Sequence, residues 1–341
     1  MTFTNIEWAD RVWNPTTGCV KISQGCKFCY AEREWRIRHQ FNPRHIAYGR
    51  KFTDVQSHPE RLAVPFSWRK PARVFVDSIS DLFQEGIAFE FIAAVFGSMA
   101  LNPRHTFLIL TKRPDIMRTF FEWIGHEGTR RNGPVAICVT KLLTESDNLL
   151  PSVQALIDWQ AIYKMPWPLA NVWLGSSMED QAAVDARLPE LLATPAAVHW
   201  ISAGPLLGHI TLPSPAAIGP KIGWIVAEGE SGSQARPAHP DWFRTLRDQA
   251  LQHAIPFNIK QLGEYIVPED GAQACRVCGC TWNNACEGSC YWHEPDLCST
   301  CIGKTRIGTD RAVKFQRVGR RHAGRELDGV TWDQYPTTPA V

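Results

Sequence analysis

Arg73-Val-Phe-Val-Asp-Ser-Ile-Ser-Asp81 is the stretch on which the fold turns. Four residues of β-type apolar character end abruptly on a polar cluster, and Phe89–Ala100 follows with apolar residues near i, i+3, i+4 and i+7. A β-run, a polar strand end and a helix make one βα unit. The pattern recurs downstream. Thr106–Leu110 ends on Thr111-Lys-Arg113, Asn171–Leu174 on Gly175-Ser-Ser-Met-Glu179, and Val198–Ile201 on Ser202. Trp224–Ala227 ends on Glu228-Gly-Glu-Ser231 and Pro256–Lys260 on Gln261-Leu-Gly-Glu264, with helical periodicity in Asp180–Ala193 and Asp241–His253. Such alternation predicts an α/β fold with a mostly parallel sheet. A doubly wound sheet and a full or partial (β/α) barrel both satisfy it. Polar groups at six strand ends favour the barrel, whose post-strand loops share one mouth, over a doubly wound sheet with its single switch point.

The alternation occupies residues 1–268 and is interrupted at 122–169, read as an insertion with a charged loop at Thr129–Asn132 and a Met165-Pro-Trp-Pro168 exit. Residues 269–305 are rich in Cys and Trp and poor in aliphatics, which predicts a small metal-stapled module. Residues 306–341 form a basic segment expected to pack on the barrel. A chain of 341 residues with 44% hydrophobic and 21% charged residues has ordinary globular composition, which excludes whole-chain disorder. The net charge of +2 demands no polyanionic partner, so any nucleic-acid contact has to be local. No run approaches the roughly 20 apolar residues of a membrane span, and Met1–Trp8 lacks the features of a signal peptide. A cytoplasmic protein without membrane contact is expected. In that reducing setting, eleven cysteines point to metal or redox chemistry rather than disulfides.

Cys19, Cys26 and Cys29 fall within eleven residues, and Phe28 precedes the last of them. Three thiolates suit Zn²⁺, with His39 or His45 as a fourth ligand, or an iron–sulfur cluster with one iron left open for a small molecule. Far downstream, Cys275-Arg-Val-Cys278 and Cys298-Ser-Thr-Cys301 are two C-x-x-C knuckles nineteen residues apart, the spacing of a zinc ribbon. An auxiliary iron–sulfur cluster is the rival there, and Cys280, Cys286, Cys290 and His293 leave room for a second site. Cys138, inside Val135–Val139, reads as a buried structural thiol. Arg276, Lys304, Arg306, Arg311, Lys314, Arg317, Arg320, Arg321 and Arg325 stand close to Trp282, Tyr291 and Trp292 in the sequence, an arrangement that tracks a nucleic-acid backbone or is a solvated charged face. Most tryptophans, Trp200 and Trp224 among them, sit in apolar strand patterns and read as core.

Ile6-Glu-Trp8, Trp13-Asn-Pro15, Thr17-Gly-Cys19, Gly25-Cys26 and Cys29-Tyr-Ala-Glu32 resemble the opening of the phage Gp37/Gp68-like family, a radical-SAM-like group. Val74–Phe83, Leu110-Thr-Lys-Arg-Pro114, Asn171–Gly175, Lys260–Glu264 and Ala323–Gly329 extend the resemblance over nearly the whole chain. It implies a partial barrel of radical SAM type in which Cys19, Cys26 and Cys29 hold a [4Fe–4S] cluster. The open iron would bind S-adenosyl-L-methionine (SAM). An electron from a donor such as flavodoxin or ferredoxin would cleave it to a 5′-deoxyadenosyl radical that abstracts hydrogen from carbon.

On the same resemblance, Asp77, Ser78, Ser80 and Asp81 bind the SAM amino group, Ser177 and Glu179 contact its ribose or methionyl part, and Phe28 lies against the cofactor. Lys112 and Glu230 are the catalytic candidates, and Lys112 or Arg236 meets an anionic group. Plainer readings are helix capping for Asp77–Asp81, solvated loop charges for Lys112 and Arg113, and a turn residue for Glu230. The implied substrate is a hypermodified pyrimidine, an amino-acid-decorated thymidine, in phage DNA, with isomerase, mutase or transferase-like chemistry. A peptide or small-metabolite substrate is the alternative, and a zinc-bound, non-catalytic DNA-binding adaptor is a third. Two departures stand out: Gly204 before Pro205-Leu-Leu207, where such proteins carry Glu, and Ala227-Glu228, where they carry small residues.

Overall fold

The structure, a computed structural model, describes residues 6–130, 133–146, 151–155, 157–214, 218, 221–266, 291–294, 297–303 and 315–336. Seven strands form one sheet: β1 (Arg11–Trp13), β2 (Arg73–Val76), β3 (Thr106–Thr111), β4 (Val172–Ser177), β5 (Val198–Ala203), β6 (Ile222–Glu228) and β7 (Phe257–Gln261). They lie side by side in chain order and every pair is parallel. A strictly sequential order never reverses direction, so there is no switch point, and the sheet curls into a half-barrel. The choice left open by the sequence falls to the partial barrel.

Alternation along each strand builds two apolar layers. On the convex side Val74, Phe107, Ile109, Leu174, Ile201 and Ile225 join the main core with helices α2 (Phe89–Ala100), α3 (Pro114–Arg130), α6 (Gln181–Ala193) and α7 (Pro240–Gln252). Their strand neighbours Phe75, Leu108, Trp173, Trp200, Trp224 and Val226 make a second, concave cluster closed by Trp8. Trp8 meets Phe75, Trp200 and Trp224 edge-on at ring-centroid distances of 4.7, 5.4 and 6.2 Å. Gly175 has to lack a side chain there, because a Cβ would stand 2.3 Å from the Trp200 ring.

Met117, Phe120, Phe121 and Ile124 are buried at helical spacing, which carries α3 through the start of the segment read as an insertion. Beyond it, α4 (Pro134–Glu145) packs on α2, and α5 (Trp159–Lys164) packs on α4. The α2–α4 approach depends on Gly97, where a Cβ would lie 2.3 Å from the Cys138 carbonyl oxygen. Cys138 itself is fully buried, and burial pushes its thiol well above the ordinary range. The free edge of β7 is covered by the C-terminal segment: Ile259 N–H donates to Trp332 O, Gln334 N–H to Phe257 O, and Trp224 Nε1 to Gln334 O. Among the described residues no helix is long and apolar enough to cross a membrane.

Cys275, Cys278, Cys280, Cys286 and Cys290 lie outside the described residues. Cys298 and Cys301, the other half of the expected zinc site, are buried on a short strand and the 3-10 turn that follows it.

Candidate functional site

The loop that carries the three cysteines leaves β1 and lies over the C-terminal ends of the neighbouring strands. Its base is seated on the polar cluster after β2. Asp77 Oδ1 accepts the Thr16 N–H at 3.0 Å, and the Ser80 hydroxyl donates to Thr16 O at 2.9 Å while accepting from Thr16 Oγ1 at 2.9 Å. Ser78 Oγ donates to Asn14 Oδ1 at 3.2 Å. Gly18 bridges to Ser80 with φ +87°, and a Cβ on it would stand 2.5 Å from Asp54 O, so only glycine admits this approach. Helix capping is not the use made of this cluster, because α2 begins at Phe89 behind Ala88 with no side-chain cap. Asp77 is buried and its Oδ2 has no hydrogen-bond partner among the described residues; burial pushes its carboxyl up to about 7.

Asp81 is committed on both oxygens. Oδ1 accepts from Thr111 Oγ1 at 2.7 Å and Phe83 N–H at 3.1 Å, and Oδ2 from Lys112 N–H and Arg113 Nη1, each at 3.1 Å. Arg113 continues the chain of contacts into the loop. Its Nη2 donates to Val20 O at 2.8 Å, and Nη1 stands 3.9 Å from Cys19 Sγ. Gln84 Oε1 accepts the Val20 N–H at 3.1 Å and lies 3.5 Å from the same sulfur. Burial and the Asp81 charge push the Cys19 thiol up to about 12 against the opposing pull of Arg113.

Cys26 Sγ lies 3.7 Å from Ser23 Oγ. Cys29 occupies the residue before α1 (Tyr30–Glu34); burial raises its thiol, the Glu32 and Ala31 amides oppose that, and the Cys26 charge adds to it. Cys19 and Cys29 pack against one apolar base formed by Ala31, Trp35, Ala47, Phe52 and Ile79.

The rest of the rim is two ion-paired groups. Glu179, just past β4, is buried and takes Lys112 Nζ at 3.3 Å and Arg187 Nη1 at 2.7 Å. Burial alone would raise its carboxyl, but Lys112 and Arg187, with the Ser23 side chain, bring it down to about 2. Gly25 rests on this pair, since a Cβ there would meet Glu179 Cδ at 3.0 Å and Lys112 Nζ at 3.2 Å. Glu230 holds Arg236 through three hydrogen bonds of 2.7 to 2.8 Å. Arg236 in turn donates to Gln24 O at 3.0 Å and lies over the Phe28 ring at 5.3 Å. Ser177 ends β4, nearly buried, with its carbonyl accepting from Arg187 at 2.7 Å.

Groups from β2, β3, β4 and the loop after β6 thus converge on one cysteine loop. A family model described as a protein of unknown function, DUF5131, matches residues 3–336, nearly the whole of this arrangement. The chain belongs to the DUF5131 family. No curated protein and no solved structure matches it.

The site of this DUF5131 protein contains groups that sequence reading did not single out. Gln84, which carries no local signal, holds the first cysteine together with Arg113, whose plainer reading from sequence is a solvated loop charge. The Tyr30 hydroxyl donates to Ser78 O and stands near both Cys29 and Glu228. The two departures seen in the sequence are one feature in space. A Cβ on Gly204 would lie 2.5 Å from Glu228 Cγ, so the Glu228 side chain fills the volume above Gly204 and pairs there with Lys260.

The donor set can be weighed against the metals it was expected to hold. Among the described residues no three or more His, Cys, Asp or Glu side chains are grouped as ligands of one ion, and His39 and His45 instead stack on each other at 4.1 Å. The Cys19 and Cys29 thiols are half-buried and raised, so they are poor nucleophiles while protonated, and metal binding removes such protons. Three thiols carried by one loop are the donor type that an iron–sulfur cluster or zinc takes.

Proposed function

We propose that the protein is a radical SAM enzyme, with Cys19, Cys26 and Cys29 as the ligands of a [4Fe–4S] cluster. The observation that carries this is a three-cysteine loop seated over the C-terminal ends of a parallel half-barrel and tied to four strand ends by polar contacts and close packing. When bound, the cluster supplies one-electron cleavage of SAM and so a radical able to take hydrogen from an unactivated carbon.

The chain's own residues do the positioning. Arg113 sets the first sulfur against Asp81, and its charge offsets the accumulation of thiolates. Asp77, Ser78 and Ser80 fix the loop base, so their contribution is to hold the cysteines in place. Lys112 with Glu179 and Arg236 with Glu230 brace the span from Ser23 to Phe28 and leave it little room to move. Glu228, half-buried, paired with Lys260 and close to Tyr30, is the polar group we assign to face a substrate. For that substrate we favour a modified pyrimidine of phage DNA, with flavodoxin or ferredoxin as electron source and Zn²⁺ at Cys275, Cys278, Cys298 and Cys301.

Anaerobic reconstitution tests the reading. Wild-type protein is expected to bind about four irons with matching sulfide, and Cys26→Ala to lose them while keeping zinc. With SAM and a reductant, phage DNA should raise 5′-deoxyadenosine formation. A colourless protein whose iron content is the same in wild type and Cys26→Ala would refute the assignment. Turnover with peptides but not DNA would keep the chemistry and replace the substrate.

A further inference from the structure

We propose that the knuckle built by residues 35–51 on the rim of the cysteine loop is a binding surface for single-stranded nucleic acid. Its base is apolar and fixed. Trp35, Ala47 and Phe52 are buried together with Ala31 and Ile79, and Cys19 and Cys29 pack against them. The Trp35 indole donates to Arg50 O at 2.9 Å, Gly49 N–H closes the loop onto Gln40 O at 2.9 Å, and His39 and His45 stack between. α1 runs from Cys29 directly into this unit, and Arg33 ties it to Ser231 O across the mouth at 3.3 Å.

Charge is concentrated here. Residues 21–54 hold eight Lys and Arg against three Asp and Glu, out of 36 and 34 in the chain, so the remainder carries 28 against 31. This segment is therefore one of two basic stretches, the other being residues 304–325 with eight Lys and Arg against one Asp, and it is the one that lies on the cysteine loop. All three acids are consumed locally, in Lys21–Glu32 at 2.6 Å, Arg38–Glu34 at 3.2 Å and Arg50–Asp54 at 3.0 Å. Arg36, Arg44 and Lys51 are exposed and have no acidic partner among the described residues.

Interleaved with those cations along the sequence are large side chains that a folded protein ordinarily covers: Ile37, Phe41 and Tyr48 are 64%, 69% and 55% exposed. A docking face for a folded protein would gather its apolar groups into one patch ringed by charge. Rings separated by guanidinium and ammonium groups instead offer stacking faces for bases and cations for the phosphates between them. Duplex DNA hides its base faces, which is why the exposed rings select a single strand. The sequence placed nucleic acid near residues 276–325, whereas this surface lies beside the proposed metal loop. Choosing nucleic acid rests on the function proposed above, but the surface can be tested without the cluster.

The test is fluorescence anisotropy of the full chain with a labelled oligothymidylate of about 20 nucleotides, titrated with salt from about 50 to 200 mM. Removing three phosphate contacts with Arg36→Ala, Arg44→Ala and Lys51→Ala should lower the slope of log K on log salt by about 2, and weaken binding on the order of 100-fold near 0.1 M. Phe41→Ala with Tyr48→Ala should weaken binding on the order of tenfold at unchanged slope. Circular dichroism of these exposed-site variants should match wild type. A triple variant with wild-type slope would overturn the proposal, as would equal affinity for polyglutamate, the outcome expected if an acidic protein is the partner. Cys26→Ala should bind the oligonucleotide normally. Lack of iron would fail the enzymatic reading alone, and lack of binding would fail this one alone.

Discussion

Replacing Glu179 by Gln removes one charge from the centre of the rim with almost no change of shape. In the wild type the carboxylate faces Lys112 Nζ at 3.3 Å and Arg187 Nη1 at 2.7 Å, with only 2% of its side chain exposed. The fall of its pKa from the ordinary 4.5 to about 2 arises because those two cations outweigh the burial penalty. At 1.36 kcal/mol per pH unit this corresponds to on the order of 3 kcal/mol at pH 7. An independent estimate agrees, since deleting one partner of a buried ion pair costs about 3–5 kcal/mol by stranding the other.

The sign follows from the depressed value. The stabilisation is fully present above 4.5 and is lost as pH falls through about 2, leaving roughly 1.4 kcal/mol at pH 3. Urea unfolding of wild type and Glu179→Gln at both pH values measures it. The expected gap is about 3 kcal/mol at pH 7 and about half or less at pH 3. A gap below about 1 kcal/mol at pH 7, or one that does not narrow on acidification, would refute the account of this pair as a buried brace.

Three further outcomes can be checked separately. Gly97→Ala would push a methyl to 2.3 Å from backbone of α4, which cannot swing aside, so urea unfolding should show a loss of about 2–3 kcal/mol or more. Arg113→Met keeps the stem but strands Asp81 and releases Val20 and Cys19; reconstituted protein should hold clearly less iron than wild type while its circular dichroism stays native. Equal iron content would remove Arg113 from the site. Asp328 is lowered to about 2, chiefly by hydrogen bonding from Arg244, so Asp328→Asn should lower the melting temperature at pH 7. The difference should fade as pH falls from the ordinary carboxylate range through about 2, and a constant difference would contradict the assignment.

The β-runs were legible because each ends on polar residues, and Arg73–Val76 and Phe89–Ala100 appear in the structure with the bounds read from sequence. The later strands extend beyond their apolar runs, through Gly175–Ser177 and Ser202–Ala203, because neighbouring backbones pair with polar residues as readily as with apolar ones. Arg11–Trp13 was not legible as a strand. Three residues carry no period, and they become β1 only because the edge of β2 accepts them in parallel register.

The candidate site divides in the same way. The grouping of three thiols is a matter of sequence spacing, and so is the polar character of the strand ends. Their partnerships are not. Asp81 with Arg113, Glu179 with Lys112 and Arg187, and Glu228 above Gly204 join residues separated by 32, 67, 8 and 24 positions. Local composition dictated where strands begin and which groups crowd one mouth, since alternation and polarity act over a few residues. Which ion meets which was decided by the curl and register of the sheet, because a contact between distant positions exists only once the backbone between them is closed.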